Sequence, residues 1–191
     1  MIGFSLIGSA VFGVAFLFFS LRETLVLKRM YASPVSKTNI VVGESLGRVF
    51  FQLLIVIVLI LFGRFAYHFY LANGVITFIE LLIISTLALV VFMAFGFFIS
   101  SVAKNQNVIP IYANLFMFPQ YFLSGTFFPK TVLPQSIDWL IEILPLTALN
   151  DALRKIAFEG SHLTDCWRQI GILGVWGVIL YALAIWAFRW E

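Results

Sequence analysis

Several stretches of about 20 residues in this chain carry almost no charge, which is the length an α-helix needs to cross the hydrocarbon layer of a bilayer. Hydrophobic residues make up 62% of the 191 and charged ones 11%, with a mean hydropathy of +1.03, whereas a soluble domain averages about a quarter charged. Too little polar surface remains to clothe a core in water, so the bilayer is the solvent. Inside it a helix satisfies its own backbone. The expected fold is therefore all-α, a polytopic transmembrane helical bundle of five membrane spans plus a re-entrant helical hairpin before the last span. The net charge of +3 does not indicate nucleic acid, because the twelve Lys and Arg residues are scattered between apolar spans. A lone Cys166 has no intrachain disulfide partner, and His68 and His162 are too few and too far apart for a metal site or a triad.

Span one covers about 1–20. A signal peptide is the competing reading, but the segment lacks a basic start, is long for such a peptide and shows no small-x-small cleavage site before Leu21. Ser5, Ser9 and Gly13 recur every fourth residue, which lines small side chains along one face and invites close helix approach; chance is the alternative. Residues 21–48 bring in Arg22, Glu23, Lys28, Arg29, Lys37, Glu44 and Arg48, with Ser33-Pro34 as a helix breaker, and predict a loop outside the membrane. Span two, about 49–71, carries Arg64, Tyr67, His68 and Tyr70 at its far end, where such side chains reach headgroups. After the Asn73-Gly74 turn, span three covers about 75–103 with Glu80 as its one acid. Span four, about 108–128, contains Pro110, Asn114 and Pro119 and predicts a kinked helix facing protein more than lipid. In 129–168, Pro129, Pro134 and Pro145 separate apolar pieces too short to span, and two short helices at one membrane face are expected. Span five covers about 169–188, with Gly171, Gly174 and Gly177 on it. No polar linker long enough to divide the chain occurs, so 1–191 reads as a single domain.

Basic residues are retained in the cytoplasm, and with five spans one side holds Arg22, Lys28, Arg29, Lys37, Arg48, Lys104 and Arg189 against three acids. The other side balances Arg64, Lys130, Arg154, Lys155 and Arg168 with five acids. The segment 21–48 and the C-terminus are thereby assigned to the cytoplasm. Met1 then begins on the outer face, an awkward start that suggests a missing upstream span.

No nucleophile with a base, no carboxylate pair and no metal-ligand cluster is visible, and no GxxxxGK[ST] loop cradles a phosphate. The chain is therefore read as a non-enzyme whose energy comes from a partner. Glu80 lies near the outer end of span three, where it either reaches water or pairs with Arg64 across the Asn73-Gly74 turn; an intramembrane site or proton path is the competing reading. Leu25, Leu27, Met30 and Tyr31 share an apolar side of a short helix beside Lys28 and Arg29, stopped by Pro34. Periodicity leaves docking on a partner and lying on the bilayer equally open.

The run RETLVLKRMYASPVSK followed by GESLGR resembles the cytoplasmic coupling segment of type-2 ATP-binding-cassette (ABC) transporter permeases. A second run, YFLSGTFFPKTVLPQSIDWLIEILPLTALNDALRKIAFEG, is similar to that family's region between its last two membrane helices. The resemblance implies six membrane helices per subunit, a second permease copy or paralogue completing the pathway, and ABC ATPase subunits that bind ATP and Mg²⁺, with no cofactor in this chain. Its setting would be the bacterial plasma (inner) membrane, with lipid as the surrounding partner and no nucleic acid. Carried over by position, Arg22, Glu23, Lys28, Arg29, Ser33, Pro34 and Lys37 form the ATPase-coupling element. Phe127, Phe128, Pro129, Pro134 and Trp139 fall in the hairpin at the outer gate, with Pro145, Asp151 and Arg154 in its second arm. Leu25-Val26 depart from the Gly-Thr frequent there, and the chain starts at what would be the family's second span. Phe127, Phe128 and Trp139 serve equally as gate or as interfacial anchors, and Asp151 with Arg154, three apart, suits a structural ion pair. The expected function is an exporter permease for an amphipathic, lipid-linked or drug-like substrate, and the alternative is a non-transporting membrane scaffold or anchor subunit.

Overall fold

A computed structural model of the chain describes residues 2–23, 37–66, 71–128 and 134–187, and the described residues are helical almost throughout. Seven α-helices follow in order among them: α1 (Ile2–Glu23), α2 (Lys37–Ala66), α3 (Val75–Val102), α4 (Ile109–Leu123), α5 (Asp138–Ile143), α6 (Pro145–Phe158) and α7 (Trp167–Ala187). Short 3₁₀ turns at Gln106–Val108, Gln135–Ile137 and Leu163–Cys166 lead into α4, α5 and α7. Four stretches among the described residues are long and apolar enough to cross a membrane: Ile2–Leu21, Ser45–Ala66, Val75–Val102 and Leu163–Ala187. The protein is an all-helical integral membrane protein.

The central element is α3. It packs against α1 on one side and α7 on another, with α6 and α2 also in contact. Its Leu81, Ile84, Leu89 and Phe92 are fully enclosed, with Leu6 and Ile7 of α1, Leu149 and Ile156 of α6 and Leu173 of α7 completing the core. Small residues set the closest approaches. A methyl group on Gly96 would stand 2.8 Å from the Val11 carbonyl oxygen and 2.7 Å from Val14 Cβ, so bare Cα is what lets α1 and α3 cross. Gly177 meets Val91 of α3 at 3.3 Å in the same sense, whereas Gly171 and Gly174 face open space. In contrast, α2 turns Phe50, Phe51, Leu54, Ile55 and Val58 outward, as a helix solvated by lipid does.

Helix bounds differ from the expected ones in two places. The helix of span two already begins at Lys37, inside the stretch expected to be loop, because its charged residues up to Arg48 sit on a continuous 30-residue helix. Where span four was expected over 108–128, α4 has 15 residues, about 22 Å of helix, short of the hydrocarbon thickness. It ends where Ser124 caps it and Gly125 turns the chain with φ of 74°. Pro110 fits the first turn of α4, which has no use for its missing N–H, and Pro119 lies inside the helix.

Candidate functional site

The start of α1, the ends of α2 and α4, the start of α3 and both short helices α5 and α6 share one end of the bundle, here the hairpin end. Orphan backbone groups explain how the hairpin is held. The first-turn N–H of Leu146 has no partner within its own helix, and buried Gln120 of α4 accepts it with Oε1 at 3.2 Å. At the end of α5, the Ile143 carbonyl accepts Trp176 Nε1–H of α7 at 2.7 Å, and Arg168 donates to Glu142 at 2.6 Å. Pro145 opens α6, where a proline costs no hydrogen bond, and is buried.

Asn150 of α6 is the densest node. Its Nδ2 donates to Thr126 Oγ1 at 2.9 Å and to the Ser124 carbonyl and hydroxyl oxygens, each at 3.3 Å, fastening the turn after α4. Ser124 and Thr126 hydroxyls lie 2.7 Å apart in that turn. The amide oxygen of Asn150 abuts Gly3, where any side chain would overlap it, so one residue joins α1, α6 and the turn.

That turn carries Phe127 and Phe128 into an aromatic group. Phe4 of α1 stacks obliquely on Tyr121 at 4.6 Å between ring centres and meets Phe127 edge-on at 5.7 Å, while Phe122 lies 6.1 Å from Phe128. These rings close one end of a groove of about 650 Å³ between α1 and α4. Ser5, Gly8, Ser9 and Phe12 form its α1 wall, and Asn114, Met117 and Phe118 its α4 wall.

Of the other residues singled out in the hairpin, Trp139 stands exposed and Pro134 precedes α5 in the open. Asp151 is half-buried and lines a small pocket with Asp138, Glu142, Arg168 and Gln169, whereas Arg154 is exposed. Pro129 lies outside the described residues. So do Lys28, Arg29, Ser33 and Pro34 of the coupling segment, and of Arg22, Glu23 and Lys37 only the backbone is described, closing α1 and opening α2. Since α1 is about 33 Å long and begins beside Asn150, those ends lie across the bundle from the hairpin.

Glu80 corrects an expectation. Its partner is not Arg64, which is exposed, but His162, whose Nδ1 lies 3.0 Å from Oε1; the Leu163 N–H donates to the same oxygen at 3.3 Å. Nearby, Asn73 Nδ2 donates to the Gly160 carbonyl at 3.0 Å, so the start of α3 is tied twice to the loop before α7. The physical reason is reach. The loop between α6 and α7 folds back over the α3 terminus and supplies donors closer than the Arg64 side chain. Among the described residues, no group of three or more His, Cys, Asp or Glu is placed to hold a metal ion.

Asn150, Gln120 and His162 were not singled out by the sequence as parts of the site. A glutamine inside an apolar span is the one signal that could have marked the second of them, since a buried amide needs partners.

The chain matches the family described as ABC-2 type transporter over residues 1–158. It is 28% identical over 167 residues to ABC transporter G family member 20 of Dictyostelium discoideum, covering 85% of this chain and 22% of that protein. It is 30% identical over 93 residues to nodulation protein J of Rhizobium meliloti (strain 1021), covering 49% of this chain and 35% of the relative. The nodulation protein J of Bradyrhizobium diazoefficiens is 29% identical over 108 residues, 56% of this chain and 41% of its own length. The chain thus spans well under half the length of these curated relatives. No solved structure matches. With apolar helices, a roofed groove and a family match running from the first helix through the hairpin, this chain belongs to the ABC-2 type transporter family of membrane permeases.

Proposed function

We infer that the chain is the membrane-spanning permease subunit of an ATP-driven exporter, moving an amphipathic, lipid-linked or drug-like substrate while a separate ABC ATPase subunit hydrolyses ATP. The observation that carries this reading is the groove between α1 and α4, apolar, aromatic and roofed at one end by Phe4, Tyr121 and Phe127. Open along its side, it is half of a passage, and a second copy or a paralogue facing it completes the wall. Such a lining suits a substrate with apolar surface.

On this reading the roof is the outer gate, built from Phe127 and Phe128 with the hairpin that holds Pro129, Pro134, Trp139, Pro145, Asp151 and Arg154. The opposite end faces the cytoplasm, as does the C-terminus, in a bacterial plasma membrane. There the element from Arg22 and Glu23 through Lys28, Arg29, Ser33 and Pro34 to Lys37 receives the ATPase stroke. ATP and Mg²⁺ bind the partner, and alternating access follows when the stroke biases the bundle between two packings.

Co-purification tests it. The tagged permease is expected to bring down an ABC ATPase and to stimulate its ATP hydrolysis, and the double charge reversal Lys28→Glu, Arg29→Glu is expected to weaken the pairing about tenfold if both cations meet acidic groups on the partner. Unchanged assembly and unchanged stimulation in that variant would contradict the coupling assignment.

A further inference from the structure

Between them α1, α2 and α3 leave a niche of about 340 Å³ whose lining includes Ser9, Arg48, Gln52, Leu89 and Met93. It reaches from Arg48, near the start of the apolar stretch Ser45–Ala66, inward to Leu89 at the centre of α3. The guanidinium of Arg48 is laid against Gly13 of α1, so near that a methyl group there would stand 2.5 Å from Nη1. One turn further along α2, the buried amide of Gln52 donates to Ser5 Oγ across 3.4 Å. The small residues Ser5, Ser9 and Gly13 are therefore the face on which α2 approaches α1, and they make room for two long polar side chains of that helix.

Arg48 lies one turn inside the apolar stretch Ser45–Ala66, at the end nearer the coupling segment, where a long cationic side chain reaches the level of lipid head groups. None of the described residues that line the niche is acidic. A guanidinium carries five N–H donors and stays charged, so a pairing with one neighbour leaves donors for a ligand as well. Planar, forked donors match phosphate oxygens. The occupant must also tolerate an apolar exit, since Phe51 lines the niche and is exposed on the outward side of α2 beside Phe50 and Leu54.

We propose that this niche binds the phosphate head of an amphipathic lipid, with Arg48 pairing to the phosphate oxygens, Gln52 and Ser9 beside it, and the acyl chains against Phe51 in the bilayer. Ser9 also borders the α1–α4 groove, so the niche and the groove share an edge. The proposal deepens the exporter reading, on which it rests for taking the bound head group as one in transit. Binding is measured with no ATPase present, so either can fail alone.

The experiment is native mass spectrometry of the chain in detergent micelles, titrated with dioleoyl phosphatidate, with phosphatidylcholine of the same chains, and with inorganic phosphate as competitor. Wild type is expected to favour phosphatidate, and Arg48→Gln to lower its affinity for that lipid about tenfold, the scale of one charge-assisted hydrogen bond. Arg48→Lys, which keeps the charge without the fork, should retain part of the preference, and Gly13→Val, which keeps the charge but fills its seat, should lose it. Phosphatidate binding by Arg48→Gln and Gly13→Val at the wild-type level would overturn the site. Displacement of the lipid by inorganic phosphate at equal affinity would overturn the lipid assignment; failure of phosphate to compete supports it.

Discussion

Asn150 does with one amide what would otherwise take three contacts: it fastens the turn after α4, seats against Gly3 of α1 and thereby sets where Phe127 meets Phe4. Removing the amide leaves the Ser124 carbonyl short of a donor and the paired Ser124 and Thr126 hydroxyls with only each other, Ser124 being buried. Asn150→Ala is therefore expected to cost about 1–3 kcal/mol, the range for stranding buried polar groups. Thermal unfolding in micelles measures it. A disulfide between cysteines at positions 4 and 127 should form more slowly in that variant, and an unchanged rate would show that the amide does not hold the aromatic roof.

At the scale of elements, the α1–α3 crossing depends on Gly96. Gly96→Ala forces backbone movement against Val11 and is expected to destabilise the bundle by about 1–3 kcal/mol, as overpacking does. Gly43→Ala on α2, where nothing lies within 4 Å of the added methyl, serves as the control and should be neutral or slightly stabilising. Much of this layer was legible in the sequence, because length without charge is a direct requirement of the bilayer and the helix at Val75–Val102 follows from it. The start of α2 was not legible. Lys37, Glu44 and Arg48 read as polar loop, yet charges interrupt hydropathy without interrupting a helix, and Arg48 folds inward against a glycine that no one-dimensional pattern pairs with it. For the same reason the Glu80 partner was missed. Its proximity to Arg64 in sequence was visible, while His162 comes from a loop after the hairpin, and only the tertiary fold brings the two together. The aromatic residues Phe127 and Phe128 were legible by motif, whereas the groove they close requires α1 and α4 to be neighbours.

For the whole molecule, every functional statement depends on polarity across the membrane: a coupling end in the cytoplasm beneath an ATPase, and a hairpin roof outside. The chain offers a clean way to measure it, since its one cysteine, Cys166, is buried. Single cysteines at Ser36, in the coupling segment, and at Ser136, exposed ahead of α5, report on the two sides that the account assigns. Labelling with a membrane-impermeant maleimide in intact cells is expected to modify the cysteine at 136 at once and the cysteine at 36 only after the membrane is opened. Modification at 36 in intact cells, with protection at 136, would put the coupling segment outside and remove the surface on which an ATPase could dock.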